Sequence, residues 1–259
     1  MALGLFLVYF MPQGAEVAAQ RVVALPLSLF MVVNFTIPLD ISAGIFFLLL
    51  WVLYLGAFVL AWLDDPALLM SLKSVGVGGL DVRRSNYLAV MPLLSSMVLV
   101  AVVVLQTLQE SAGVQTGGLP PEPPVLLFLF VSYAPLVEEF SYRITTIGIL
   151  NGLYLVRKGR TLAQHGARPS AARLLLLAIW KPQSAKDALG LDTIRNSGVR
   201  RGVSAFEWLL LAVTSLAFGA VHYLAGGGWE IGKISTAALS GFAMGFVYLR
   251  YGAYAPVLL

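Results

Sequence analysis

The chain has 259 residues, of which 59% are apolar and only 12% are charged, and its formal net charge is +4. A soluble domain carries roughly 25% charged residues, so the composition excludes an ordinary water-soluble protein. Cysteine is absent, which excludes disulfide bonds and thiolate metal ligands. We therefore expect lipid to cover much of the surface.

Apolar runs of about twenty residues recur along the chain, which is the length of a helix that crosses the hydrocarbon core of a bilayer. Barrel strands would instead alternate apolar and polar residues over about ten positions. The sequence therefore predicts an all-α transmembrane bundle that forms a single domain over residues 1–259. Six clear spans and a truncated seventh are predicted at residues 22–38, 41–63, 86–108, 125–150, 206–224, 233–250 and 253–259.

The first two segments carry the weakest signals. Residues 2–11 are apolar but too short to span, and no basic residue precedes them, so we expect this segment to lie at the membrane interface. The first predicted span, residues 22–38, is short and contains Pro26, which makes its boundaries uncertain.

The charges of the connecting segments predict the orientation of the bundle. Residues 151–205, which we call the basic segment, contain ten arginines and lysines against two aspartates, whereas residues 109–124 contain two glutamates and no cation. The positive-inside rule then places the basic segment in the cytoplasm. Within it, residues 171–180 are apolar but too few to span, so they either lie against the inner leaflet or pack on the protein itself.

The fourth predicted span contains three ionisable side chains where apolar residues are expected: Glu138, Glu139 and Arg143. Each such group costs about 2.5–3.5 kcal/mol at the centre of a membrane helix, which makes these residues functional candidates. Glu139 and Arg143 are four residues apart and share a helix face, which predicts a buried ion pair. Glu138 points about 100° away from Glu139, so its carboxylate is left for another role.

The fifth predicted span contains Phe218 and His222, one turn apart on the same helix face. A histidine in a helix is more often a packing residue than a catalytic one. His222 is nonetheless the one imidazole predicted within the membrane, because His165 lies in the basic segment, where we expect it to be solvated. A glutamate and a histidine that meet could hold and deprotonate a water molecule.

The predicted span boundaries place Glu138 and His222 at different depths in the membrane. His222 lies nearer the outer face by more than one helical turn. The two side chains can therefore meet only if the helices tilt, if the fourth helix breaks at Pro135, or if the fifth helix begins later than predicted.

The pattern Glu138-Glu139-x-x-x-Arg143, followed in a later span by Phe218-x-x-x-His222, resembles the CAAX-protease and bacteriocin-processing family of intramembrane proteases. The resemblance covers about residues 125–259. It implies an intramembrane endopeptidase that acts on a membrane-associated peptide or protein. Glu138 would be the general base that activates water, and His222 would help to hold that water. Glu139 and Arg143 would order the catalytic site, and Phe218 would contact the substrate.

The resemblance does not decide whether a metal takes part. A catalytic zinc requires three protein ligands, and Glu138 and His222 provide two, so zinc could bind but is not favoured and no metal ligand is assigned. No cofactor is therefore expected. The basic residues are located beside membrane spans, so the expected partner is the bilayer and not nucleic acid.

Two other interpretations remain open. The family resemblance implies a third motif, His-x-x-x-Asn or similar, in a helix after Pro256, and the sequence stops at Leu259. A non-catalytic relative that serves as a subunit or assembly factor of a larger membrane complex would fit this departure. A small transporter with Glu138 as a proton relay ranks last, because no inverted repeat is visible.

Overall fold

The computed structural model describes residues 12–29, 33–64, 66–78, 81, 84–119, 121–161, 169–224 and 227–259. The fold is all-α apart from one two-stranded hairpin. The elements are α1 Pro12–Ala19, β1 Arg21–Leu29, β2 Val33–Ser42, α2 Ala43–Leu63, α3 Leu68–Gly78, α4 Tyr87–Ser111, α5 Pro124–Glu139, a π-helix Phe140–Gly148, α6 Ile149–Thr161, α7 Ala171–Trp180, α8 Pro182–Asp187, α9 Ile194–Gly202, α10 Ala205–Leu224, α11 Lys233–Tyr251 and α12 Tyr254–Leu258. The predictions for residues 2–11 and for His165 lie outside the described residues.

Among the described residues, four helices are long and apolar enough to cross a membrane: α2, α4, the continuous helix from Pro124 to Thr161, and α10. In the most apolar stretch of α4, only 6% of the residues are buried inside the protein. Leu99 and Val100 are 64% and 61% exposed. Exposed apolar surface of this extent is typical of contact with a membrane or with another protein. The four helices confirm four of the predicted spans and indicate a multi-pass membrane protein.

The sixth predicted span is also helical, but α11 is not among these four helices and lies deep in the bundle. Its buried face includes Ala237, Gly241 and Gly245, and the helix packs along α10. Gly219 of α10 lies so close to the backbone of Ile234 that a β-carbon there would overlap the Ile234 carbonyl. The seventh predicted span begins as the five-residue helix α12.

The prediction that residues 22–38 form a transmembrane helix is wrong. The described residues of this segment lie in two antiparallel strands, which pair from Arg21 with Ser42 to Leu29 with Val33. Pro26 in β1 and Pro38 in β2 each lack the N–H that a helix needs, and the many β-branched residues around them favour strands. The apolar content was compatible with either structure.

The prediction that the basic segment begins as a loop at residue 151 is also wrong. The helix that carries the acidic motif continues without a break to Thr161, and Lys158 and Arg160 lie in its last turn. Cations at this position interact favourably with the negative end of the helix dipole.

Residues 171–180 form the predicted ten-residue helix, α7. Leu174 and Ala178 are buried, and the hydroxyl of Tyr248 in α11 donates to the Ala178 and Ile179 carbonyls at 3.1 and 2.8 Å. One face of α7 therefore packs on the bundle, while Leu176 on the other face is 67% exposed.

A buried ion pair attaches the rest of the basic segment to the bundle. Lys186 Nζ lies 2.8 Å from Glu207 Oε2 and also donates to the Gly202 carbonyl. The Ser204 N–H donates to Glu207 Oε2 at 2.7 Å while the Glu207 N–H donates to Ser204 Oγ at 3.3 Å, which is a capping box at the start of α10. The side-chain amide of Asn151 also donates to Glu207 Oε1 at 3.4 Å. The basic segment is thus a packed layer of short helices over its described part.

Candidate active site

The helix that carries the acidic motif changes its winding directly after Glu139. Residues Phe140–Gly148 are π-helical, and the hydroxyls of Thr145 and Thr146 both donate to the Ser141 carbonyl, at 2.7 and 2.8 Å. A π-helical turn accommodates extra residues and is frequent at functional sites. In this winding Tyr142 and Arg143 are both buried in the bundle.

Glu139 and Arg143 form the predicted ion pair, with Arg143 Nη1 3.1 Å from Glu139 Oε1 and both side chains almost fully buried. Arg143 Nη2 donates to the Gly241 carbonyl of α11 at 3.1 Å. The guanidinium also lies 4.6 Å from the ring centroid of Phe218 in α10, which is a cation–π contact. The charge of Glu139 is therefore neutralised by a cation that ties three helical elements together.

Glu138 faces a different partner. Its Oε1 lies 3.7 Å from His222 Nε2, and the two side chains are 32% and 20% exposed. The other ring nitrogen, Nδ1, lies 2.8 Å from the Phe218 carbonyl, which can only accept, so Nδ1 carries the hydrogen. In the neutral ring Nε2 then has a lone pair directed toward Glu138. Two acceptors do not hydrogen-bond to each other, and a water molecule between them would donate one hydrogen to each.

The predicted difference in depth between Glu138 and His222 is absent. Pro135 lies inside a continuous helix, and α10 begins at Ala205, one position before the predicted start. Neither a break in the fourth span nor a later start of the fifth therefore explains the contact. Of the three routes named from the sequence, helix tilt is the one that remains for the 3.7 Å contact.

A cavity of about 720 Å³ adjoins this pair. One wall is a single stripe of the helix that runs from Leu126 to Tyr142 and includes Glu138. The opposite wall comes from α10, with Phe218 and His222, and loop residues such as Leu119 and Trp229 line one end. Phe218, the predicted substrate contact, lines the cavity, although its side chain is only 4% exposed.

Tyr142 lines the cavity one turn beyond Glu138 and is missing from the sequence-based prediction. Its ring packs edge-on against Phe218, with centroids 4.9 Å apart. The four-residue spacing from Glu138, which places both side chains on one helix face, was the available signal. Glu207 is also missing from the sequence-based prediction, although the Ser204-x-x-Glu207 pattern is typical of a capping box at the start of a helix.

The chemistry available at this site is proton transfer to and from a held water molecule. Among the described residues, no group of three or more His, Cys, Asp and Glu side chains is arranged to hold a metal ion. Glu138 and His222 would offer a metal only two ligands, whereas a base and an orienting acceptor are what water activation requires. Comparisons of the chain with family models, with curated proteins and with solved structures gave no match.

Proposed function

We propose that the protein is an intramembrane endopeptidase in which Glu138 activates water to hydrolyse a peptide bond of a membrane-associated substrate. One observation carries the proposal: the Glu138 carboxylate lies 3.7 Å from His222 Nε2 at the wall of a 720 Å³ cavity, outside the ion pair that neutralises its neighbour. An intramembrane carboxylate that faces a cavity and has no lysine or arginine in direct contact among the described residues is expected to have a function.

The steps follow from the positions of the two groups. Glu138 takes one proton from a water molecule whose other hydrogen is held by His222 Nε2, and the water oxygen attacks the carbonyl carbon of the scissile bond. The protonated Glu138 then gives its proton to the leaving amine as the C–N bond breaks. Water supplies the hydroxyl of the new carboxyl group and the hydrogen of the new amine.

The tetrahedral intermediate carries negative charge on its oxygen and needs a donor. Tyr142 provides the only hydroxyl among the described residues that line the cavity, and it lies on the same helix face as Glu138. A single well-placed donor to such an oxyanion contributes about 2.7–4 kcal/mol. We assign this role to Tyr142 within the proposal.

The proposed setting is a bilayer, with α11 completing the bundle of four apolar helices and the basic segment on the cytoplasmic side. Other membrane subunits are candidate partners through the exposed apolar faces of these helices.

The test uses purified protein in nanodiscs with a library of apolar transmembrane peptides, and cleavage is detected by mass spectrometry. We expect Glu138→Gln and His222→Ala to lower the rate by about 10²–10⁴-fold, the range for loss of a general base. Glu110→Gln, at an acid of α4 that does not line the cavity, is the control and should retain the rate.

Full activity of Glu138→Gln would contradict the proposal. If the native protein cleaves no peptide and instead co-purifies with other membrane proteins, the alternative of a non-catalytic subunit or assembly factor is favoured.

A further inference from the structure

Loop residues at one end of the bundle line one end of the cavity beside Glu138, which we call the mouth because Leu119 and Glu122 are exposed there. Its mouth contains Leu119 and Glu122, which precede α5, and Gly227 and Trp229, which follow α10. The helix that begins with α5 ends at Thr161, and the chain then passes through the rest of the basic segment to the start of α10. The basic segment therefore joins the other ends of these two helices. The mouth and the basic segment therefore lie at opposite ends of the bundle.

The mouth has a defined structure. The Gly118 N–H donates to the Gly228 carbonyl at 3.0 Å, and the Glu230 N–H donates to the Thr116 carbonyl at 3.1 Å. Gly117 has a φ of +69°, and a β-carbon there would overlap the backbone of Gly228. Two loops are thus held against each other beside the entrance.

The cavity is elongated along the helix that forms one wall. Its lining residues on that helix recur every three or four positions from Leu126 to Tyr142, which at 1.5 Å per residue is about 24 Å. An extended polypeptide advances about 3.3 Å per residue, so about seven residues would occupy this length. Apolar side chains line it between the mouth and Glu138.

The charges of the lining select against an anionic ligand. Glu122 lies at the mouth and Glu138 at the inner end, and no lysine or arginine is among the described lining residues. The nearby cation Lys233 lies over the Trp229 ring, 3.7 Å from its centroid. An anionic ligand such as a fatty acid would meet the like charge of Glu122 at the mouth, whereas a neutral or cationic segment would not. At the inner end, Glu138 interacts with the cations Lys233 and Arg143, so we expect the selection against negative charge at the mouth.

We infer that the cavity binds an extended, apolar polypeptide segment without acidic residues, which enters from the end of the bundle opposite to the basic segment, with Glu122 selecting against negative charge. This inference rests on the proposed function for the choice of a polypeptide. It adds the side of entry and the charge of the substrate.

Cysteine labelling tests whether the mouth and the basic segment lie on opposite sides of the membrane, and it is feasible because the native chain has no cysteine. Leu119→Cys at the mouth and Arg200→Cys in the basic segment, both at exposed positions, are placed singly in sealed vesicles of one orientation. A membrane-impermeant maleimide should label one variant before permeabilisation and the other only afterwards. Labelling of both from the same side would overturn the inference.

The ligand is tested by protection of Val221→Cys, which lies on the α10 wall and is 40% exposed in the native chain. A seven-residue Leu/Ala peptide with a free N-terminus and an amidated C-terminus should slow labelling about tenfold, which corresponds to about 1.4 kcal/mol. The same peptide with two glutamates should slow it less than about twofold, and Glu122→Gln should reduce this difference. Leu209→Cys, on α10 outside the cavity, is the matched control and should not be protected.

The labelling experiments need no catalysis, so the two proposals can fail separately. Equal protection by both peptides, or protection of Leu209→Cys, would overturn this inference even if Glu138→Gln abolishes cleavage. Selective protection of Val221→Cys supports the inference, even if no peptide is cleaved and the proposed endopeptidase activity is rejected.

Discussion

Two acidic centres are buried near opposite ends of α10. Near its start, the Glu207 carboxylate lies 2.8 Å from Lys186 Nζ, and near its end, beside His222, Glu139 lies 3.1 Å from Arg143. In both pairs the glutamate is about 1% exposed. By burial and charge alone, the two centres look alike.

The two centres differ in the donors around each carboxylate. Glu207 accepts from Lys186, from the Ser204 N–H and from Asn151, so its charge is fully used in holding the short helices to the bundle. The second centre contains an additional carboxylate, Glu138, which faces a cavity and an imidazole at 3.7 Å. A buried charge is therefore weak evidence for function, and a carboxylate that packing does not neutralise is stronger evidence.

The largest effect on stability is expected for Arg143→Met. It leaves Glu139 buried without its cation, which costs about 3–5 kcal/mol. Unfolding in detergent micelles, followed by circular dichroism during titration with SDS, measures the loss. The double variant Glu139→Leu/Arg143→Met should recover most of it, because both charges are removed. Equal instability of the single and double variants would contradict the assignment.

A smaller loss is expected for Lys186→Met in the other centre. Glu207 keeps the donors from Ser204 and Asn151, so the cost is about 1.5–3 kcal/mol, the range for a hydrogen bond to a charged group. The same unfolding measurement applies, together with faster proteolysis at exposed arginines such as Arg200. A loss larger than that of Arg143→Met would show that the two centres are not partnered as described.

The contact between α10 and α11 at the Glu139–Arg143 centre is tested by Gly241→Ala. The added β-carbon would lie 2.9 Å from the Phe218 ring and 3.4 Å from Arg143 Nη2, so we expect a loss of about 1–3 kcal/mol from overpacking. Gly56→Ala in α2 is the matched control, because nothing lies within 4 Å of its β-carbon. The control should be neutral or slightly stabilising. Similar effects of both substitutions would contradict the tight packing at Gly241.

The smallest effect on stability is expected for Glu138→Gln. This carboxylate is partly exposed and its contact is with His222 at 3.7 Å, so its replacement should change the free energy of unfolding by less than about 1 kcal/mol, whereas the proposed hydrolysis should slow by about 10²–10⁴-fold. The unfolding titration and the peptide assay are run on the same preparation. A loss of stability comparable to that of Arg143→Met would make Glu138 a structural residue.

Hydropathy predicted the apolar helices well and the remaining segments poorly. The predicted span 86–108 is observed as Tyr87–Ser111, and 206–224 as Ala205–Leu224. Residues 22–38, whose described part lies in β1 and β2, were predicted as a helix because apolar content does not distinguish an apolar strand from a short helix. The helices of the basic segment, apart from α7, were not predicted, because contacts such as that of Lys186 with Glu207 lie between distant parts of the chain.

The sequence by itself determined the four long apolar helices, because hydrophobicity adds up over a window of about twenty residues. It also determined the Glu139–Arg143 pair, because the two residues share one helix and their spacing sets their direction. Only the tertiary structure decided that Glu138 meets His222 beside a cavity and that Tyr142 lines it. The distance between residues 138 and 222 depends on how two helices incline and rotate against each other, which is set by close contacts such as that of Gly219 with Ile234 and not by the local pattern of either helix.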